Sequence, residues 1–261
     1  MTHKVIFFGN GSLADYALGV IKPKCEVIFH ARTREDLEEV CQIKRENPEA
    51  HGILASFGVL IKLDVLELFE PEGILNIHPS LLPLYRGASP IESAILAGDT
   101  DFSVSVMKLV KQMDAGPIYY QETLRGLPLC KNDIYKALAE TGAKWIVNNL
   151  SNLSEPVLQD DSRATFCGKL DKGMSVLTPE IDTAEMTFRK IVAYQGFPKP
   201  KYMFFGVSCI ILEAHVLKSG ETAVLSIPGA DDESVAIDRL QPEGRKAMDA
   251  KAFLNGYKKQ L

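Results

Sequence analysis

The sequence predicts an α/β fold, with a parallel or mixed sheet in residues 1–150 and a smaller carboxyl-terminal β-barrel-like domain in residues 179–261. Three observations carry this expectation. Short apolar runs alternate with helix-patterned segments through the first half, a polar stretch without periodicity comes next, and glycine-punctuated strand-like runs fill the remainder.

KVIFF, CEVIFH, HGILAS and GILNI read as the first strands, with Leu13 to Ile21 and Arg34 to Glu46 as helices between them. Such alternation implies parallel strands joined by right-handed crossovers. SVSVMKLV and IYYQETL read as later strands, MDAGP as the turn between them, and Lys131 to Leu150 as a long helix. Residues 151–178 are polar, rich in turn formers and without clear period, so they read as a linker. Beyond them, Thr183 to Tyr194 reads as a helix, KYMFFGVSCIILEAHVL and ETAVLSI as strands, and Ala250 to Lys259 as a terminal helix. Short strands around a small core suggest a barrel-like domain.

Composition sets limits. With 261 residues, 46% of them hydrophobic, the chain can bury one large core or two modest ones. The net charge of −5, from 34 acidic and 29 basic side chains, gives no global basic footprint for nucleic acid, so a polyanion would need a local patch. Cys25, Cys41, Cys130, Cys167 and Cys209 are odd in number and scattered, with no Cys-x-x-Cys pair for a metal. A reduced, cytoplasmic protein, a monomer with no metal and no membrane contact, is the expectation. No apolar run approaches the ~20 residues of a membrane span, and the start MTHKVIFFGNG leads straight into a strand.

The stretch Gly73 to Ile91, GILNIHPSLLPLYRGASPI, is where chemistry concentrates. Asn76 and His78 stand at i and i+2, so on a strand they share a face, and the carboxyl ends of strands in an open α/β sheet border the ligand crevice. Pro79, Pro83 and Pro90 stiffen the loop beyond His78. An Asn amide and a His ring nitrogen can both donate to an oxygen that gains charge in a tetrahedral intermediate. Asp114, inside MDAGP, can accept a proton from an attacking amine. Three such groups suggest transfer of a small acyl group to an amine.

NIHPSLLPLYRGASPI and, further along, MDAGP together resemble the folate-dependent formyltransferases, whose catalytic trio is Asn, His and Asp. The resemblance implies a Rossmann-like formyltransferase sheet, a catalytic trio of Asn76, His78 and Asp114, and 10-formyltetrahydrofolate as formyl donor. It implies a folate pocket drawn from Ser56, Phe57 and Gly58 in LASFGVL, from Ser80, Leu81, Leu82 and Pro83, and from Met113. Phe57 is equally well explained as core. Asn10, Gly11 and Ser12, in the turn after the first strand, correspond to acceptor contacts, although glycine at a tight strand-to-helix turn needs no ligand. Arg86 and Gly87 are further acceptor-binding candidates, with Arg86 read first as a residue that holds its loop.

SLLPxxRGAxPI is similar to the branch that contains the methionyl-tRNA and sugar-nucleotide enzymes. FCGKLDK, GFPKPKYMF and LQPEGRKAMDAKAFLNGY resemble the carboxyl domain of the tRNA enzymes. The resemblance therefore implies methionyl-initiator-tRNA as acceptor. Two departures stand against it. Only about one helix of chain separates His30 from Gly52, where the tRNA enzymes usually carry a basic insertion, and residues 176–261 hold 11 basic and 11 acidic side chains. An amino-sugar nucleotide, or water in a hydrolase, stays open as acceptor.

Overall fold

The computed structural model describes residues 2–257. It divides into two compact units, Met1–Ala94 with Thr100–Gly168, and Ile95–Asp99 with Lys169–Leu261. The division falls inside the stretch 151–178, and the first part of that stretch belongs to the first unit.

In the first unit β1 (Lys4–Phe8), α1 (Gly11–Ile21), β2 (Glu26–Ala31), α2 (Asp36–Glu46), β3 (His51–Leu54), α3 (Leu63–Glu67) and β4 (Ile74–His78) come in order. After them come β5 (Arg86–Gly87), α4 (Pro90–Ala97), which crosses the division, β6 (Phe102–Lys108), β7 (Ile118–Leu124), α5 (Lys131–Asn149) and β8 (Phe166–Cys167). The main sheet runs β2-β1-β3-β4-β6-β7. β2, β1, β3 and β4 are mutually parallel, and β6 and β7 add antiparallel. The strands form at the apolar runs of the sequence. The short helices α3 and α4 leave no such mark, because neither is long enough to show a helical period.

Apolar side chains are sorted to the two faces of this sheet. Ile6, Phe8, Leu54 and Ile74 pack on one face with Val40, Phe57, Val65 and Phe69, and the Phe57 and Phe69 rings meet Phe8 edge-on at 5.7 and 5.9 Å. α5 presents Ile134, Leu138, Ala139, Gly142, Ala143 and Ile146 as one buried stripe. Gly142 is needed there, since a Cβ would stand 2.8 Å from Ile77 of β4. The strand that carries Asn76 and His78 is thereby clamped from behind.

The second unit holds α6 (Ala184–Ala193), β9 (Lys201–Phe204), β10 (Val207–Val216), β11 (Ser226–Pro228), β12 (Ser234–Pro242), β13 (Met248–Asp249) and α7 (Ala250–Tyr257). Its antiparallel sheet runs β11-β12-β10-β9 with β13 on β12, a curled half-barrel rather than a closed one. Ile191 of α6 and Phe253 of α7 join Cys209, Ile211, Ile227, Val235 and Leu240 in its core. The Thr183 hydroxyl accepts the Met186 N–H at 3.1 Å and caps α6, a bond that typically adds about 1 kcal/mol. β12 is masked in the sequence, since Asp238 and Arg239 interrupt its apolar pattern. The terminal helix is seen to Tyr257, and its expected end at Lys259 lies outside the described residues. Among the described residues no helix is long and apolar enough to cross a membrane.

Candidate active site

β4 ends the parallel part of the sheet, and its last residues are Asn76, Ile77 and His78, all buried. Alternation turns Ile77 toward α5 and sets Asn76 and His78 together on the opposite face. His78 Nε2 lies 3.0 Å from the Tyr85 carbonyl oxygen. A carbonyl only accepts, so Nε2 carries the hydrogen, and Nδ1 is the nitrogen left to face outward. Nδ1 stands 3.7 Å from Asp114 Oδ1. The structure thus brings His78 and Asp114 together across 36 residues of chain, with Asn76 on the same strand face.

Asp114 occupies a left-handed backbone position, φ 49°, which an Asp tolerates better than most residues. Its Oδ2 accepts the Gly87 N–H at 2.8 Å, so Oδ1 is the oxygen aimed at His78. Gly87, at φ 128°, leaves no room for a side chain: a Cβ would stand 2.1 Å from the Cys167 carbonyl oxygen.

The loop between β4 and α4 is fixed on two sides. On the sheet side, the Ser105 hydroxyl donates to the Ser80 carbonyl at 2.6 Å and accepts the Leu82 N–H at 3.1 Å, while Gln121 Nε2 donates to the Leu82 carbonyl at 2.8 Å. Ser80 Oγ donates to the Leu84 carbonyl at 2.7 Å. On the other side, β8 pairs in parallel with β5, the Thr165 hydroxyl accepts the Tyr85 N–H at 2.8 Å, and Thr165 N–H donates to the Pro83 carbonyl at 3.2 Å. Ser103, Ser105 and Gln121 interrupt otherwise apolar strands, and that interruption is the signal the sequence holds for them.

Among the described residues Arg86 is the largest fully buried side chain, 1% exposed. Its Nε and Nη2 donate to Gln159 Oε1 at 3.0 and 2.7 Å, and Nη2 also donates to Asp161 Oδ1 at 2.6 Å. Its guanidinium is enclosed and bound to the chain itself, on the loop that the sequence reading has it hold. Gly87 likewise serves the site through its backbone, by holding Asp114. Phe57 is buried at 3%, and its ring lies in the core against Phe8. Residues 159–167, which the sequence presents as linker, carry the partners of this loop. They show no period because their polar groups face the loop rather than forming a regular element.

Apart from Met113, which lies in the loop between β6 and β7, the remaining candidates stand in the turns at the carboxyl ends of β1, β3 and β4. Asn10 N–H donates to the Ser56 carbonyl at 3.1 Å, which sets the turns after β1 and β3 side by side. Asn10 Nδ2 donates to the Arg32 carbonyl, and Gly11 and Ser12 open α1 at the surface. Ser56, at φ 52°, and Gly58 are exposed or nearly so, with open space where a Gly58 side chain would stand. Leu82 is buried under the loop, Pro83 comes after a cis bond, and Leu81 and Met113 expose 40% and 65% of their surface. β1, β3 and β4 are parallel neighbours, so these turns and His78 share one edge. Burial pushes the Cys167 thiol up, which argues against a reactive thiolate there.

A family model described as "Formyl transferase" matches residues 12–150, just over half of the chain. The chain belongs to the formyltransferase family. The methionyl-tRNA formyltransferase of Granulibacter bethesdensis is 32% identical over 220 residues, 79% of this chain and 68% of its own length. That of Carboxydothermus hydrogenoformans is 34% identical over 237 residues, 85% and 76%. Solved structures extend the likeness in fold over both units. The methionyl-tRNA formyltransferase of Clostridium thermocellum matches with TM-score 0.65 and 18% identity over 93% of this chain and 99% of its own. The sugar 3N-formyltransferase WlaRD matches with TM-score 0.66 and 15% identity over 94% and 99%. HypX of Aquifex aeolicus matches with TM-score 0.76 and 16% identity over all of this formyltransferase, which spans half of the HypX chain.

Proposed function

We propose that this formyltransferase moves the formyl group of 10-formyltetrahydrofolate to the amino group of methionyl-initiator-tRNA. The observation that carries the reaction is the pairing of His78 Nδ1 with Asp114 Oδ1 at 3.7 Å beside the buried Asn76. The Granulibacter and Carboxydothermus relatives, both above 30% identical over more than two thirds of their length, support the acceptor.

The donor is a substrate, and the site has features that suit it. Exposed apolar Leu81 and Met113 flank His78 and Asp114 in the chain, Pro83 stiffens one wall with Ser80 holding the loop from within, and Ser56 and Gly58 offer backbone and hydroxyl groups along the edge. The neutral acceptor amine attacks the formyl carbon, forming one C–N bond, and the bond from that carbon to the folate nitrogen then breaks as that nitrogen takes up the proton the amine gave to Asp114. Asn76 Nδ2 donates to the oxyanion, and His78 Nδ1 donates to it in the form of the ring that carries a hydrogen on both nitrogens. Asp114 takes the amine proton and orients the His78 ring, while the Tyr85 carbonyl keeps Nε2 out of the reaction. Neutral amine, carbon and base held in register supply much of the rate. The second unit is assigned to acceptor recognition, and Asn10 to Ser12 to the acceptor side of the cleft.

A second reading has its own support. Only α2 occupies the chain between His30 and Gly52, and the sugar enzyme WlaRD aligns over as much of the chain as the tRNA enzyme does. Incubation of the protein with 10-formyltetrahydrofolate and, separately, methionyl-initiator-tRNA, amino-sugar nucleotides and buffer decides the acceptor. Formylated methionyl-tRNA is the expected product. A formylated sugar, or formate released in buffer alone, would replace this reading by the second or by a hydrolase.

A further inference from the structure

We propose that Gln159 is a positioning residue for Asp114, an inference that rests on the formyl-transfer reading. Its amide is used at both ends. Oε1 accepts two N–H groups of Arg86, and Nε2 donates to the Asp114 carbonyl at 2.9 Å and to the Gly116 carbonyl at 2.7 Å. The guanidinium has no acceptor and the carbonyls have no donor, so only one orientation of the amide satisfies all four groups. Glu lacks the two donors, and Asn is one methylene shorter. The residue type is dictated by its neighbours.

These contacts close a ring. Arg86 precedes Gly87, whose N–H holds Asp114 Oδ2; Asp114 lies two residues before Gly116, and Gln159 returns from both of their carbonyls to Arg86. Asp114 sits at a left-handed φ, and nothing in the intrinsic preference of the chain keeps it there. The two carbonyl bonds from Gln159 fix that turn, and the turn decides whether Oδ1 faces His78. Asp161, which shares the Arg86 charge, is itself placed by the short 3₁₀ turn Asp161–Arg163, capped by Asp160. The stretch after α5 thus supplies the support of the proton acceptor, and Arg86 is the post on which it is mounted.

Gln159→Glu separates the two halves of this role. A carboxylate keeps the Arg86 contact but turns an oxygen toward the Asp114 and Gly116 carbonyls. The expected result is a kcat reduced on the order of 10- to 100-fold with little change in KM for the formyl donor, as a displaced base requires. In an Asp114→Asn background the same substitution should cost less than about 2-fold, since residues that act as one unit are not additive. A readout independent of activity is hydrogen exchange at the Gly87 amide, which should quicken at least ~10-fold in Gln159→Glu. In the wild-type protein, which needs no variant to fold, both Gln159 side-chain N–H protons should exchange slowly. Wild-type exchange at Gly87 together with wild-type kcat in Gln159→Glu, or exposed-amide exchange at Gln159 itself, would overturn the proposal. A wild-type protein that turns over no formyl donor would instead overturn the formyl-transfer reading, and the exchange measurements would still decide this one.

Discussion

The two units bury different things. Among the described residues, Lys44, Asn76, His78, Ser80, Arg86, Ser89, Glu92, Ser103 and Ser105 are polar and buried in the first unit, against Ser175 and Thr187 in the second. Burying a polar group costs stability unless it is well bonded, so eight such groups between Asn76 and Ser105 mark where geometry was favoured over a dry core. The second unit is an ordinary apolar core with caps and strand pairs. The contrast shows where substitutions should be read as loss of rate and where as loss of stability.

The largest effect is expected in the second unit. Phe253→Ala removes a fully buried ring from the middle of its core and should cost about 3–5 kcal/mol, seen as a lowered thermal midpoint. Asn76→Ala should do the reverse: turnover falls on the order of 10²-fold, while the midpoint moves by a few degrees at most. A large loss of stability with near-normal turnover per folded molecule would erase the contrast between the units. Arg86→Met lies between the two, because it strips Gln159 Oε1 of its donors. An unsatisfied buried acceptor typically costs about 1–3 kcal/mol, and both midpoint and turnover should fall.

The smallest effect is a pH dependence in the second unit. Hydrogen bonding to Asp238, helped by Glu221, raises the affinity of His215 for its proton above the ordinary value. A raised folded-state value means the contribution is full below about pH 6.5, the unfolded value, and is lost as pH rises through the folded one. All three groups are substantially exposed, so screening limits the contribution to about 0.5 kcal/mol or less. His215→Ala should therefore lower the midpoint slightly near about pH 5.5 and not at all near about pH 9; a larger loss at the alkaline end would contradict it.

Much of the first unit is legible in the sequence because its strands are nearly pure apolar runs and its helices keep a clean period. His78 and Asp114 stand out because each lies in a short, proline- or glycine-framed segment. Gln159 does not, since the stretch around it has neither period nor apolar content, and its function is to satisfy a side chain 73 residues earlier. The clue is Arg86 itself: a guanidinium on a tight loop beneath which the chain closes must find acceptors, and QDD at 159–161 offers them. Phe57 shows the opposite case. An aromatic residue after a parallel strand suits a ligand face and a core equally, and the edge-on packing against Phe8, in the same cluster as Phe69, is visible only in the structure.

If Asn76, His78 and Asp114 perform formyl transfer as a set, removing any one of them must collapse the rate while the fold stands. The most direct test is the rate of 10-formyltetrahydrofolate turnover, with methionyl-initiator-tRNA present, in the wild type, His78→Ala and Asp114→Asn at equal folded fraction. Formylated product is expected from the wild type, with a drop on the order of 10²-fold or more in each variant. Near-normal turnover in His78→Ala would contradict the assignment.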